Sequence, residues 1–395
     1  MDASEAGGVM EANGSDVVGA RSATFYIAVE LSRSSWLAAV LGPGAQRPSR
    51  HKLKAGDVDG LLALIGRARG TATRVCSCYE AGYEGFWLHR RLLAAGIESS
   101  IVDPSSLQVD RRARRKKTDA IDVEMILRAL VAWDRGERGL CTMVRAPDTA
   151  AEDARRTSRE RERLIREQTG HVNRIRGLLM TMGIYDFDPR RANRLASLAA
   201  LVTGDDRTLP PRLSVEIRRE IERLQLVERQ IAELERDRDP PAPRGRPRKD
   251  AVSRQPDPAS PRGRIAHLQQ LRGVGPEIAG VLQSEVFYRS LCNRRELTAY
   301  CGLDPTPFAS GNSHREQGIS KAGNRRARHA AVELAWLWLH WQPDTALARW
   351  FHARVGAATG RLKRTMIVAL ARKLLIALWR FLECGVVPDG AILKA

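Results

Sequence analysis

Ser310 and Gly311 stand in the stretch from Tyr300 to Arg328, YCGLDPTPFASGNSHREQGISKAGNRRAR. A basic cluster follows them: Arg315, Lys321, Arg325, Arg326 and Arg328. A hydroxyl on a Gly/Pro-shaped loop beside several cations is the arrangement a serine needs to attack a phosphodiester, since the cations neutralise the backbone it approaches. An ordinary surface turn in an arginine-rich chain has the same composition, so this segment alone leaves both readings open.

Four carboxylates further upstream could supply a metal site. Glu30 closes the apolar run FYIAVE, where a charge is otherwise costly. Glu80 closes TRVCSCYE, and Asp119 and Asp122 lie one helical turn apart and so project from one side of a helix. Strand-end carboxylates converging with a helical pair can hold two Mg²⁺ ions ~4 Å apart, which polarise a phosphodiester and stabilise its leaving oxygen. Taken singly, Glu30 or Glu80 could be a solvated strand end and Asp119 a helix cap. A basic run, Arg111, Arg112, Arg114, Arg115, Lys116 and Lys117, directly precedes the aspartate pair.

The elements that must position these groups read as follows. FYIAVELSRSSWLAAVLG predicts two short strands joined by a tight polar turn, and a helix follows around Val58–Arg69. TRVCSCYEAG predicts a third strand, GFWLHRRLLAAG a helix with a Gly stop, and IESSIVDP a strand closed by Pro104. Strands alternating with helices imply an α/β domain with a mixed sheet. TDAIDVEMILRALVAW is helical, its buried stripe being Val123, Ile126, Leu127 and Leu130.

From about Glu152 the texture becomes charged and heptad-like. Gln168, Val172, Ile175, Leu179 and Met182 alternate steps of four and three, and Ile217, Leu224 and Ile231 recur every seven residues, as do Val227 and Leu234. That seam fits an antiparallel helical pair within the chain or a coiled-coil dimer. Residues 239–264 are expected to be a Pro/Arg-rich linker, in which PRGRPRK is similar to a minor-groove AT-hook, though an Arg/Pro-rich chain yields that match easily by chance and non-specific phosphate binding is the favoured reading. LQQLRGVGPEIAGVLQSEV predicts a helix-hairpin-helix, with Gly273 and Gly275 in the turn and Pro276 opening the second helix, a plain helical corner being the alternative. Trp336, Trp338 and Trp341 are expected to pack in the core of a helical C-terminal part.

Lys and Arg total 65 against 46 Asp and Glu, a formal charge of +19, which calls for a polyanionic partner. No apolar run approaches the ~20 residues of a spanning helix, so no membrane role is expected. The six cysteines show neither a CxxC pair nor zinc spacing and fit reduced thiols of a cytoplasmic protein. Residues 1–23, acidic and Gly/Ala-rich, are expected to be a disordered tail rather than a signal peptide.

With these motifs in place, the chain resembles the IS110-type insertion-sequence transposases, also called DEDD transposases or bridge-RNA-guided serine recombinases. YIAVELSR, CYEAGYEGF and KKTDAIDVEMI look like the family's acidic motifs, and LRGVGPEIAG and YCGLDPTPFASGNSHREQGISKAGNRRARHAA like its C-terminal domain. The resemblance implies a RuvC-like (RNase H fold) domain at 24–145, a helical coiled-coil region at 150–238, and a helical transposase domain with a helix-hairpin-helix at 265–395. It further implies Ser310 as nucleophile, Glu80, Asp119 and Asp122 as Mg²⁺ ligands beside it, and a composite site shared between subunits of a dimer or tetramer. DNA and a non-coding guide RNA would be its partners, in the nucleoid of a bacterium. One position departs from the pattern: the family's first acidic residue is usually aspartate, and here it is Glu30. A carboxylate-only Holliday-junction nuclease and a nucleic-acid-binding protein with a decayed site are the alternatives.

Overall fold

A computed structural model describes residues 24–107, 118–238, 257–310 and 313–394, with 308–310 and 313–317 described for the backbone alone. The chain divides into two compact units, Met1–Pro147 and Asp148–Ala395. The amino-terminal tail, the basic run 111–117 and the PRGRPRK segment lie outside the described residues.

The first unit is built on β1 (Thr24–Leu31), β2 (Ser35–Leu41), β3 (Ser49–Lys54), β4 (Arg74–Glu80) and β5 (Glu98–Val102), with helices α1 (Val58–Ala68), α2 (Trp87–Ala94) and α3 (Asp119–Asp134). The sheet order is β3-β2-β1-β4-β5. The first three strands form an antiparallel meander, whereas β4 and β5 run parallel to β1. The mixed α/β sheet expected from the sequence is therefore present.

Period-two alternation sorts the strand residues onto two faces. Phe25, Ile27, Val29, Val75 and Tyr79 pack against Leu61, Leu64 and Ile65 of α1 and Leu88 and Leu92 of α2. Tyr26, Ala28, Cys76 and Cys78 face the other way, under Val123, Ile126, Leu127 and Leu130 of α3. The expected helix stripe is thus the buried one. β3 was not expected: SRHKLK carries one apolar residue, Leu53, because it is an edge strand whose faces are largely solvated. Its lysines and arginine suit an edge that must not recruit other strands.

In the second unit, α4 (Thr149–Met180) and α6 (Pro211–Arg238) lie antiparallel, joined through the short α5 (Arg194–Ala199). Val172, Ile175 and Leu179 form one cluster with Ile217, Ile221 and Leu224, and Leu164 meets Val227 and Ile231 further along. Ion pairs Arg161–Glu235, His171–Glu220 and Arg174–Glu216 flank the seam and fix its antiparallel sense. The heptad positions are therefore filled largely within one chain, as the internal-helical-pair reading of this seam expects.

The C-terminal helices are α7 (Pro261–Gln269), α8 (Pro276–Leu282), α9 (Arg294–Tyr300), α10 (Arg325–Trp341), α11 (Ala346–Val355) and α12 (Gly360–Cys384). Leu334 and Trp338 of α10 and Leu370, Leu374 and Leu378 of α12 are at the centre of their core. Between α9 and α10 the chain makes a two-stranded antiparallel sheet, β6 (Pro305–Ser310) and β7 (Ser313–Ile319). Among the described residues no helix is long and apolar enough to cross a membrane.

Candidate active site

The β1–β4 register sets Val29 opposite Tyr79, so Glu30 and Glu80 neighbour each other at the C-terminal ends of two parallel strands. By alternation both belong to the face that α3 covers. The direction of α3 is set at its far end. Asp134 accepts hydrogen bonds from the Tyr26 hydroxyl (2.6 Å) and from Arg74 Nη1 (2.7 Å). Arg74 also donates through Nε and Nη2 to the two oxygens of Glu98 (2.7 and 2.6 Å). Burial, reinforced by the Asp134 carboxylate, pushes the Tyr26 phenol up to about 12, so it stays a donor. Tyr26 and Arg74 lie near the beginnings of β1 and β4; hence α3 runs antiparallel to them and its first turn, with Asp119 and Asp122, points to the strand ends that carry Glu30 and Glu80.

Topology therefore brings the four carboxylates to one end of one sheet. Thr118, not Asp119, holds the N-cap position of α3, and both aspartates lie in the first turn, where the helix dipole favours negative charge. By donor type the set suits a divalent cation, since all four supply hard carboxylate oxygens. The side chains do not close into a coordination shell: among the described residues no three His, Cys, Asp or Glu groups come near enough to hold a metal ion. The fit is one of donor chemistry and placement.

Ser310 is the last residue of β6 and pairs with Ser313 of β7, a correction to the loop expected from its turn formers. Residues 311–312, Gly311 among them, and the Arg315 side chain are outside the described residues. The hairpin's base is closed by three backbone bonds: Ser320 N–H to Asp304 O (2.8 Å), Lys321 N–H to Gly302 O (3.2 Å) and Asn324 N–H to Tyr300 O (2.7 Å). Only glycine permits this approach at 302, where φ is +64° and a Cβ would run into the Ala322 carbonyl. Asp304 also receives the Thr298 hydroxyl and Arg372 Nη2.

Beneath that base lies a polar cluster that sequence reasoning missed. After α8, Gln283–Phe287 form a π-helical turn that carries Glu285, which is 0% exposed. Arg159 of α4 donates to both its oxygens, through Nε (2.8 Å) and Nη2 (3.0 Å), and Asn324 Nδ2 donates to one of them (2.8 Å). Burial raises the Glu285 pKa, but the bonds from Arg159 and Asn324 outweigh it and hold the carboxyl below its ordinary value. Asn324 is legible as an N-cap ahead of the helical RRARHAA; nothing local announces the π turn.

The other candidate residues have mixed fates. Lys321 and Arg325 are exposed, Lys321 with φ +57°. Arg326 pairs with Glu162 (2.6 Å) and Arg328 donates to the Cys301 carbonyl (3.0 Å), so these two are partly committed to internal contacts. Arg111, Arg112, Arg114, Arg115, Lys116 and Lys117 lie outside the described residues. Two helices joined by a short turn stand at α7–α8, with Gly275 at the N-cap and Pro276 at N1 of the second. Gly273 has φ +88° and lies against the Trp341 side chain, which gives it a packing role. Of the three tryptophans only Trp338 is in the core; Trp336 and Trp341 are 42% and 41% exposed, a correction to the packing expected for all three.

Comparison with known proteins gives a consistent result. Residues 31–184 match the DEDD model of IS110-type proteins, described as a transposase, and residues 265–350 match the model described as the Transposase IS116/IS110/IS902 family. The first match starts one residue after Glu30 and includes Glu80, Asp119 and Asp122; the second includes Ser310. The chain is 45% identical to a Sinorhizobium fredii protein provisionally named transposase y4rJ, over 93% of this chain and 94% of that one. A second provisionally named transposase of that organism, y4qE, is 24% identical over 95% and 92%. The transposase for insertion sequence element IS1111A of Coxiella burnetii is 26% identical over 63% and 62%. The DEDD match also suggests a RuvC-like fold for the first unit and divalent-metal dependence.

Proposed function

The chain belongs to the IS110 family of transposases and so serves DNA transposition, and from this premise we propose that it excises and inserts its mobile element through attack by Ser310 on DNA phosphodiesters. The observation that carries the reading is the place of Ser310, at the closed end of a hairpin whose base is tied down by backbone bonds and a glycine contact. A nucleophile that must reach into a phosphate backbone benefits from projection on a short rigid element, because misplacement by an ångström is costly in rate.

Attack by the serine oxygen forms a bond to phosphorus and breaks one P–O bond to a deoxyribose. The serine proton passes overall to the departing sugar oxygen, and the protein is left joined to DNA through a phosphoserine. A hydroxyl of the second DNA end reverses the step and releases the serine. One phosphodiester is exchanged for another, so no external energy source is required. Mg²⁺, when bound, would supply charge neutralisation at the phosphate. Glu30, Glu80, Asp119 and Asp122 are the residues that would hold it. The net charge of +19 supports contact with further polyanion, and we assign to it a non-coding guide RNA read by shape and phosphate charge. A homo-oligomer that joins Ser310 of one subunit to the carboxylates of another, acting on the nucleoid of a bacterial cell, completes the reading.

Ser310→Ala should abolish strand exchange while leaving DNA affinity unchanged; recombination by that variant would remove the serine from the mechanism. The gathering of four carboxylates at one sheet end favours one competing reading, a carboxylate-only nuclease. In that case Asp119→Asn stops cleavage and Ser310→Ala does not.

A further inference from the structure

We propose that Asn324 is a positioning residue for the Ser310 hairpin, which it fixes by tying both ends of the hairpin's base to the buried carboxylate of Glu285. The inference rests on the serine reading and goes beyond it, to how the serine is held.

Asn324 stands on the returning chain, beyond β7 and at the N-cap of α10. Its backbone N–H bonds the Tyr300 carbonyl, on the chain entering the hairpin. Its side-chain Nδ2 faces the Glu285 carboxylate (2.8 Å), the Glu285 carbonyl (3.3 Å) and the Tyr300 hydroxyl (3.3 Å). Its Oδ1 accepts from Arg326 N–H (3.0 Å) and Ala327 N–H (3.1 Å) and so caps α10. Two amide hydrogens and two lone pairs are all engaged, which leaves the side chain one orientation. An aspartate could make the cap but not the donation, and a serine reaches neither Glu285 nor Tyr300.

The carboxylate at the other end of this bond is itself held. Glu285 is 0% exposed and receives both arms of Arg159, which belongs to the long helix α4. Arg155, one turn earlier on α4, stacks over Tyr288 (4.1 Å), and Arg289 stacks over Tyr300 (4.4 Å). Glu285 is buried while Arg159 stays 42% exposed, so the pair is weak evidence for stability; what its two bonds constrain is direction, since the planar guanidinium fork meets both carboxylate oxygens. Here the geometry specified is that of the hairpin's two ends relative to α4. The π-helical turn that carries Glu285 is a kind of helical irregularity frequent at functional sites.

The test uses Asn324→Asp, which keeps the cap and sets an acceptor against the buried carboxylate, and the double variant Asn324→Asp/Glu285→Gln, which restores a donor–acceptor pair and the net charge. The full-length protein is mixed with DNA of the element's end and its flanking RNA, and formation of the protein–DNA covalent species is timed. Positioning predicts a rate at saturating DNA lower by about tenfold or more in the single variant. It also predicts an unchanged half-saturating DNA concentration and recovery of most of the rate in the double variant. An undiminished rate, a loss seen only in half-saturation, or a double variant as slow as the single one overturns it. A second readout is independent of the serine chemistry. Amide hydrogen exchange at residues 305–319 should quicken in the single variant and return in the double one, and unchanged exchange there overturns the proposal even if Ser310 is the nucleophile. If the wild-type protein forms no covalent species, the serine reading fails, and the exchange data still decide whether Asn324 fixes the hairpin.

Discussion

Glu30, where the family resemblance leads one to expect aspartate, is set by the β1–β4 register beside Glu80. Its extra methylene lengthens the reach to any cation, and Mg²⁺ tolerates little departure from octahedral geometry. Glu30→Gln keeps the volume and removes the charge; DNA strand cleavage by that variant should fall by about 10²-fold or more with DNA affinity unchanged. Cleavage at the wild-type rate would exclude Glu30 from the site. Glu285 gives a prediction in pH. Its folded pKa is depressed, so its contribution to stability is fully present above the unfolded value of about 4.3 and is lost as pH falls through the lower folded value. In thermal melting, the gap between wild-type protein and Glu285→Gln should be constant above about pH 5 and shrink below about pH 4; a gap independent of pH would mean that folding leaves the Glu285 pKa unshifted, and one that grows as pH falls would mean that the fold holds the carboxyl protonated.

The elements differ in how plainly the sequence announced them, and the differences have physical causes. β1, β2, β4 and β5 were legible because apolar residues feed both faces of a covered sheet, and α3 because its stripe meets that sheet. β3 was not, since an edge strand with solvated faces has no need of apolar alternation. The hairpin of Ser310 was missed for a similar reason: Phe308 and Ile319 are its main apolar residues, and the signal available was Gly311-Asn312 between two serines, a two-residue hairpin connection. The types of the four carboxylates were legible, but their placement at one sheet end depends on Asp134 docking to Tyr26 and Arg74, side chains that the sequence gives no reason to pair. Two predictions belong at this scale. Ile221→Ala, in the fully buried seam of α4 and α6, should cost about 2–5 kcal/mol in denaturant unfolding without altering oligomeric state by light scattering. Dissociation of an oligomer without that loss would place the seam between chains. Gly302→Ala, strained in backbone and blocked by the Ala322 carbonyl, should raise hydrogen exchange across 305–319 and slow strand exchange; full activity with unchanged protection would show that the close approach at the base is dispensable.

For the molecule as a whole, a charge of +19 makes association with DNA an electrostatic event. The logarithm of its affinity should fall linearly with the logarithm of salt concentration, with a slope near −0.9 per phosphate neutralised on duplex DNA, and Ser310→Ala should share the wild-type slope. A flatter slope for the variant would mean that the substitution disturbs the interface as well as the chemistry. The central claim is tested most directly by quenching the wild-type protein on DNA of the element's end with its flanking RNA, digesting both, and locating any nucleotide-bearing peptide by mass spectrometry. The account predicts a nucleotide linked through phosphate to Ser310. Cleaved DNA with no nucleotide on the protein, or a link to Ser313 or Ser320 instead, would contradict it.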